Sequence, residues 1–168
     1  MTPVWAVVLI LVVVAFAALL SWTATRVDRM NHRVGTAGAA LRAALASRTA
    51  CALELATSGL LDPASSLLVA DGAQRARSAE PELNASGESD LTAALRASLA
   101  VATIDPSSLA QLRSACDRVC LARRIYNDTV AHTLSLRSLR LVRWFRLAGH
   151  SQPPRTVDFD DAIGELGG

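Results

Sequence analysis

The 168-residue sequence contains no lysine: its 17 basic residues are all arginine, and 15 acidic residues leave a net charge of +2. A charge so close to zero does not predict a nucleic-acid-binding protein. Aromatic residues make up only 4% of the chain, and its three cysteines are too few to predict a disulfide framework. In a reducing compartment these cysteines are expected to be thiols.

Charged residues are also absent from the first 25 positions, where an uninterrupted apolar run extends from Val4 to Leu20. A membrane core about 30 Å thick needs roughly 20 apolar residues in a helix, and Pro3 to Trp22 meets that length. Trp5 and Trp22 stand near the two ends, where indoles prefer the headgroup level. Residues 1–25 are therefore predicted to form a transmembrane anchor.

A cleaved signal peptide is the alternative, because Ala15-Phe16-Ala17 resembles a small-x-small cleavage site. Signal peptides usually carry Lys or Arg before the apolar stretch, and this sequence has neither there. The apolar run also continues past the cleavage site. An uncleaved anchor is the better interpretation.

The distribution of arginine predicts the orientation. The N-terminal flank has no basic side chain, whereas Arg26, Arg29 and Arg33 follow the apolar run directly. Basic residues are retained on the cytoplasmic side of membranes. The sequence therefore predicts a single-pass protein of the bacterial cytoplasmic membrane, with its N-terminus outside and its C-terminus in the cytoplasm.

Beyond the anchor, residues 26–148 are predicted to be a cytoplasmic helical bundle of all-α class. The anchor helix continues to about Leu61 on a seam of apolar and small residues with a period of 3.5, which Arg48 interrupts. Asp62-Pro63 and Asp105-Pro106 are typical helix starts. They open a short second helix to about residue 79 and a long fourth helix to about residue 148. Residues 80–89 are predicted to be a loop, followed by a short third helix over 89–103.

Two long and two short helices predict an antiparallel up-and-down bundle. The long helices should be neighbours, with Tyr126 opposite Arg42 and the end of the fourth helix returning to the membrane surface. Residues 149–168, which contain Pro153-Pro154 and a cluster of acidic residues, are predicted to be a tail that is either flexible or only loosely docked.

Residues 121–130, Leu-Ala-Arg-Arg-Ile-Tyr-Asn-Asp-Thr-Val, carry a resemblance to a known family. They resemble the signature helix of the LemA family of bacterial single-pass membrane proteins. The signature positions in this sequence are Ala122, Arg123, Tyr126, Asn127, Asp128 and Val130. The resemblance implies an N-terminal anchor with its N-terminus outside, a cytoplasmic helical bundle and no established biochemical activity.

No pattern in the sequence predicts catalysis, a metal site or a cofactor. Cys116 and Cys120 share a helical face, but no histidine lies at an interval that would complete a zinc site. The sequence therefore predicts a non-enzymatic docking or scaffolding element at the inner leaflet, with a protein partner or homo-oligomer. The alternative is a regulatory subunit of a membrane enzyme or protease complex.

Two polar groups of the fourth helix are candidate sites. Arg123 and Tyr126 on the seam, together with the neighbouring Asn127, either fix the register between helices by hydrogen bonds or dock a partner. The end of the helix mixes arginine with aromatic side chains, a pattern that suits the anionic inner leaflet. Its predicted membrane-surface residues are Arg137, Arg140, Arg143, Trp144, Phe145 and Arg146. RNA binding and an ordinary solvated helix end are the alternatives for this segment.

Overall fold

A computed structural model describes residues 2–78, 85–102, 104–137 and 154–161 of the chain. These residues form four α-helices and no strand: α1 spans Thr2–Thr57, α2 Pro63–Arg77, α3 Ala85–Leu99 and α4 Pro106–Arg137. The all-α prediction is confirmed over these ranges, with α1 and α4 as the two long helices.

Both Asp-Pro pairs begin helices as predicted. Asp62 caps α2, its Oδ1 accepting from the backbone nitrogens of Ala64 at 3.0 Å and Ser65 at 3.1 Å. Asp105 precedes α4 in the same way, and its Oδ2 accepts from the Ser108 nitrogen at 2.9 Å. These bonds satisfy amide donors that have no partner inside the helix. Hydrogen bonds from Ser107 and Ser108 lower the pKa of Asp105 from 3.8 to about 2.

Helix α1 ends at Thr57, four residues before the predicted end at Leu61. Gly59 follows with φ +76°, the left-handed conformation that commonly terminates helices. The hydroxyls of Thr57 and Ser58 donate to the carbonyls of Leu53 and Leu55, and the Ser58 nitrogen also donates to the Leu55 carbonyl, so side chains supplement the backbone hydrogen bonds of the last turn.

Helix α3 begins at Ala85, so the predicted loop over residues 80–89 is wrong for residues 85–89. Gly87 and Ser86 made this stretch look unstructured in the sequence. Glu88 instead lies buried in the first turn and pairs with Arg48 of α1. A tertiary contact of this kind outweighs the weak helix propensity of the surrounding residues.

The chain divides into two compact units, residues 1–36 with 128–155 and residues 37–127 with 156–168. The first unit contains Val4–Trp22, 19 residues with a mean hydropathy of 3.0 and no buried part. This segment is long and apolar enough to cross a membrane. The guanidinium of Arg26 lies 5.7 Å from the centre of the Trp22 ring.

The second unit contains two hydrophobic clusters. In the first, residues of all four helices pack together: Ala52, Leu55, Ala56, Leu61, Val69, Ala73, Leu91, Leu95, Leu112 and Cys116. The second cluster is smaller and joins α1 and α4 to the C-terminal residues: Leu41, Leu45, Val119 and Phe159. Small residues let α2 approach α3 closely, since a Cβ on Gly72 would lie 3.3 Å from the Leu91 Cα.

Residues 156–161, hereafter the docked segment, lie within the tail predicted over 149–168. They belong to the second unit, in which Phe159 is 7% exposed. The acidic residues of this segment face arginines of α3 and α4, which accounts for their place in the unit. The acidic composition of this segment was part of the prediction, but the apolar side chains among the acidic residues were not.

Candidate functional site

The signature residues of α4 do not all face the same surroundings. Tyr126 and Ala122 pack against the second cluster, and Val130 is fully buried within the first unit. Asp128 is exposed. Arg123 and Asn127 are half-buried and contact the docked segment, so these two side chains define the candidate site.

Asn127 binds the backbone of the docked segment through both ends of its amide. Its Nδ2 donates to the Val157 carbonyl at 2.8 Å, and its Oδ1 accepts from the Val157 nitrogen at 2.9 Å. An asparagine in the middle of a helix has poor helix propensity and needs a compensating contact. Because both bonds are to main-chain groups, Asn127 recognises an extended backbone rather than a particular side chain.

Arg123 binds the carboxylates of the same segment. Its Nε and one terminal nitrogen donate to the two oxygens of Asp161 at 2.8 and 3.1 Å, and the other terminal nitrogen reaches Asp158 at 3.3 Å. Two-point contact of this kind fits the planar guanidinium to a carboxylate. The hydrogen bonds that Arg123 donates to Asp161 are the main reason why the pKa of Arg123 is raised.

Phe159 supplies the apolar contact of the segment. Its ring packs in the second cluster with Leu41, Leu45 and Val119, and the Arg123 guanidinium lies 5.4 Å from the ring centre. A cation at this distance from an aromatic face is attracted by the ring's quadrupole. Arg123 therefore contacts both the acidic and the aromatic parts of the segment.

Helix α3 binds the other side of the segment. The Ser89 hydroxyl accepts from the Asp160 nitrogen at 3.1 Å while donating to the Ala85 carbonyl at 2.9 Å. Arg96 forms an ion pair with Asp160 at 2.9 Å. The site thus combines two backbone-reading side chains, two arginines and an apolar pocket, an arrangement suited to an extended acidic peptide with a central phenylalanine.

A second polar contact lies in the core between α1 and α3. Arg48 is 0% exposed, forms an ion pair with Glu88 and donates to the Thr92 hydroxyl at 3.1 Å. Its Nε has no hydrogen-bond partner among the described residues. Burial raises the pKa of Glu88 above its usual value, although Arg48 acts in the opposite direction. The interruption of the α1 seam by Arg48 was visible in the sequence, but its partner was not.

Arg123 and Asn127, predicted to fix the register or to dock a partner, bind residues 157–161 of their own chain, which was not predicted. The signal was present in the alternation of Val157 and Phe159 with acidic residues. Alternation with period two is typical of an extended segment that has one apolar face.

The three cysteines are free thiols. Burial raises the pKa of the Cys116 thiol to about 11, as expected for a structural rather than a reactive cysteine. Within the described ranges, no three His, Cys, Asp or Glu side chains are grouped so that they could hold a metal ion.

Of the predicted membrane-surface residues, Arg137 is the last residue of α4. Arg140, Arg143, Trp144, Phe145 and Arg146 lie outside the described residues. Contact of this segment with lipid stays a prediction.

No protein-family model, curated protein or solved structure matches this chain. The resemblance to the LemA family therefore stays a prediction that rests on the residues of the sequence themselves.

Proposed function

We propose that this protein is a LemA-type, membrane-anchored helical module that docks a protein at the cytoplasmic face of the inner membrane and catalyses no reaction. The observation that carries the proposal is the continuity of α1. One helix of 56 residues contains the apolar Val4–Trp22 segment and also Leu41, Leu45, Ala52 and Leu55 of the packed clusters. The proposed anchor and bundle thus share one helix.

The proposed bundle is antiparallel and up-and-down. Contacts within the second unit support this arrangement for α1 and α4. A Cβ atom placed on Gly38 would lie 3.5 Å from the Tyr126 ring. Leu41 shares a cluster with Val119, and Leu55 shares the other cluster with Leu112. Positions that increase along α1 therefore meet positions that decrease along α4.

Docking is the proposed activity because the candidate site has the properties of a peptide-binding surface. It recognises backbone through Asn127 and Ser89, carboxylates through Arg123 and Arg96, and an aromatic side chain in the second cluster. Such a combination of main-chain bonds, charge pairs and one anchoring pocket is how extended peptides are commonly recognised.

Topology is tested with reporters fused after Gly168. A reporter that fluoresces only in the cytoplasm should be bright, and one that is active only in the periplasm should be silent. Replacing Arg26, Arg29 and Arg33 by Gln is the matched control, since it removes the bias that retains this flank inside. A periplasmic signal from the unaltered protein would overturn the proposed orientation and favour a cleaved signal peptide.

Docking is tested by proximity labelling from the C-terminus in cells, followed by co-purification. The expected result is one or more membrane or cytoplasmic proteins that are lost when Asn127→Ala and Arg123→Gln are combined. Arg124→Gln, at an exposed neighbouring position, should leave the labelled proteins unchanged. An identical set of labelled proteins with the double variant would contradict docking at this site.

A further inference from the structure

The contacts that hold the docked segment do not depend on its belonging to the same chain. Asn127 and Ser89 bind main-chain groups, while Arg123 and Arg96 bind carboxylates. Residues 156–161 of a second copy would offer the same atoms to the same partners. The site therefore fits a segment from a neighbouring molecule as well as its own.

The outer contacts of the segment are of a kind that can be released, whereas Asp161 and Phe159 are only 11% and 7% exposed. Arg96 and Asp160 are each nearly half exposed, at 46% and 47%, so water and salt weaken their ion pair. Asp158 is 98% exposed. Phe159 is the one large apolar side chain among the docked residues, and it enters the smaller of the two clusters. Undocking the segment exposes little of the larger cluster, which contains none of its residues.

We propose that residues 156–161 exchange between copies of this protein, so that the segment of one molecule occupies the Arg123–Asn127 site of another. This inference rests on the proposed docking function and names the partner as a second copy of the chain. Exchange of an identical element is a common route to dimers, and reciprocal exchange closes the assembly at two copies.

Membrane anchoring favours such exchange. Within one molecule, the attached segment competes with the segment of a second copy for the site, at an effective concentration in the millimolar range. Anchors confine identical molecules to one membrane surface, so that the site of one copy meets the segment of another more often than in free solution. An anchored second copy therefore competes for the site more effectively than a freely diffusing protein would.

The test is a complementation between two full-length variants with different affinity tags, co-expressed and purified in mild detergent. The site-defective variant combines Arg123→Gln with Asn127→Ala and keeps its segment intact. The segment-defective variant combines Phe159→Ala with Asp161→Asn and keeps its site intact. Neither can dock its own segment, but the segment of the first fits the site of the second.

We expect the mixed pair to co-purify about tenfold more efficiently than either variant with itself, because removing the internal competitor leaves the site open. Two tagged copies of the unaltered protein should give an intermediate yield. Adding Arg124→Gln to both members of the mixed pair should change nothing, since Arg124 is exposed and no part of the site.

Circular dichroism of each variant checks that it is folded. If a double variant is unfolded, the single changes Arg123→Gln and Asp161→Asn replace it, since they remove the same ion pair and leave Phe159 in place. Equal capture of mixed and like pairs would overturn the exchange, whether all pairs associate or none does. Loss of a foreign partner in the labelling experiment, together with no complementation here, would retain the docking function and reject the second copy as its partner.

Discussion

Arg48 and Arg123 interrupt the apolar seams of the two long helices in the same way, yet they lie in different surroundings. Arg48 is 0% exposed and reaches Glu88 in the core between α1 and α3. Arg123 is 24% exposed and binds the docked segment near the surface. The same residue type at the same kind of position thus fixes two helices in one region and binds a peptide segment in the other.

The difference arises from the partners, which lie 40 and 38 residues away along the chain. Helical periodicity shows that each arginine faces inward. It does not show which acid comes to meet it, because that depends on how distant segments pack. A buried pair is costly to break but is often replaceable by apolar residues, whereas a pair that solvent partly reaches contributes less.

Removing Glu88 should have the largest effect on stability. Glu88→Ala leaves the guanidinium of Arg48 buried without its charge partner, which costs about 3–5 kcal/mol. The double change Arg48→Met with Glu88→Leu should restore stability to the wild-type value or above. Both are measured by urea unfolding of the full chain in detergent, followed by circular dichroism. A cost below about 1 kcal/mol for Glu88→Ala would show that Arg48 is not desolvated as described.

The pH dependence of this pair has a definite sign. Because burial raises the pKa of Glu88 above 4.5, the folded protein binds its proton more readily than the unfolded chain does. The contribution of Glu88 to the unfolding free energy is therefore fully present below pH 4.5 and decreases as pH rises through the raised pKa. Relative to Glu88→Gln, which does not titrate, wild-type stability should fall as pH is raised from 4 to 7. A difference that grows with pH would contradict the raised pKa.

Two glycines allow effects of intermediate size to be compared at two helix interfaces, Gly72 between α2 and α3 and Gly38 between α1 and α4. A Cβ at Gly72 would lie 3.3 Å from the Leu91 Cα, and the backbone of α3 cannot easily move aside. Overpacking should outweigh the gain in helix propensity, so Gly72→Ala is expected to cost about 1 kcal/mol net. A Cβ at Gly38 would meet the Tyr126 ring at an ordinary 3.5 Å, so Gly38→Ala should stabilise by up to about 1 kcal/mol.

The measurement is the thermal unfolding temperature of each glycine variant, compared with that of the wild type. Opposite shifts in the unfolding temperature are expected. Shifts of the same sign would mean that the two interfaces tolerate a methyl group equally and that the close approach of α2 to α3 is not needed.

Much of the fold followed from local signals. The Asp62-Pro63 and Asp105-Pro106 starts are correct because the cap and the proline act within one turn of the helix. The start of α3 was misplaced because Glu88 is ordered by Arg48, a residue 40 positions away. Local composition predicts helix boundaries only where no distant side chain determines them.

The candidate site could be predicted only in part. Arg123 and Asn127 were identified from the signature in α4, since polar residues on an apolar seam need a partner. The partner was missed because the acidic residues of the docked segment suggested a solvated tail, and Phe159 was not weighed against them. Pairing between a helix and an extended segment leaves no periodic signal that links the two.

The smallest expected effect concerns Arg123. Arg123→Gln should reduce global stability by no more than about 1 kcal/mol, because the pair with Asp161 is partly screened by solvent. The same change should reduce protection of the Val157 amide against hydrogen exchange by about fivefold, since docking of the segment is a local equilibrium.

Salt should also reduce the protection of the Val157 amide against hydrogen exchange in the unaltered protein. Raising ionic strength from about 0.1 M to 1 M shortens the screening length from about 10 Å to 3 Å, which weakens exposed ion pairs but not buried ones. Protection of Val157 should therefore fall with salt, whereas amides of α1 and α3 beside Arg48 should be unaffected, and Arg124→Gln should follow the wild type. If salt lowered protection equally at both places, Arg48 and Arg123 would experience the same screening. The contrast between a core ion pair and a releasable docking contact would then be wrong.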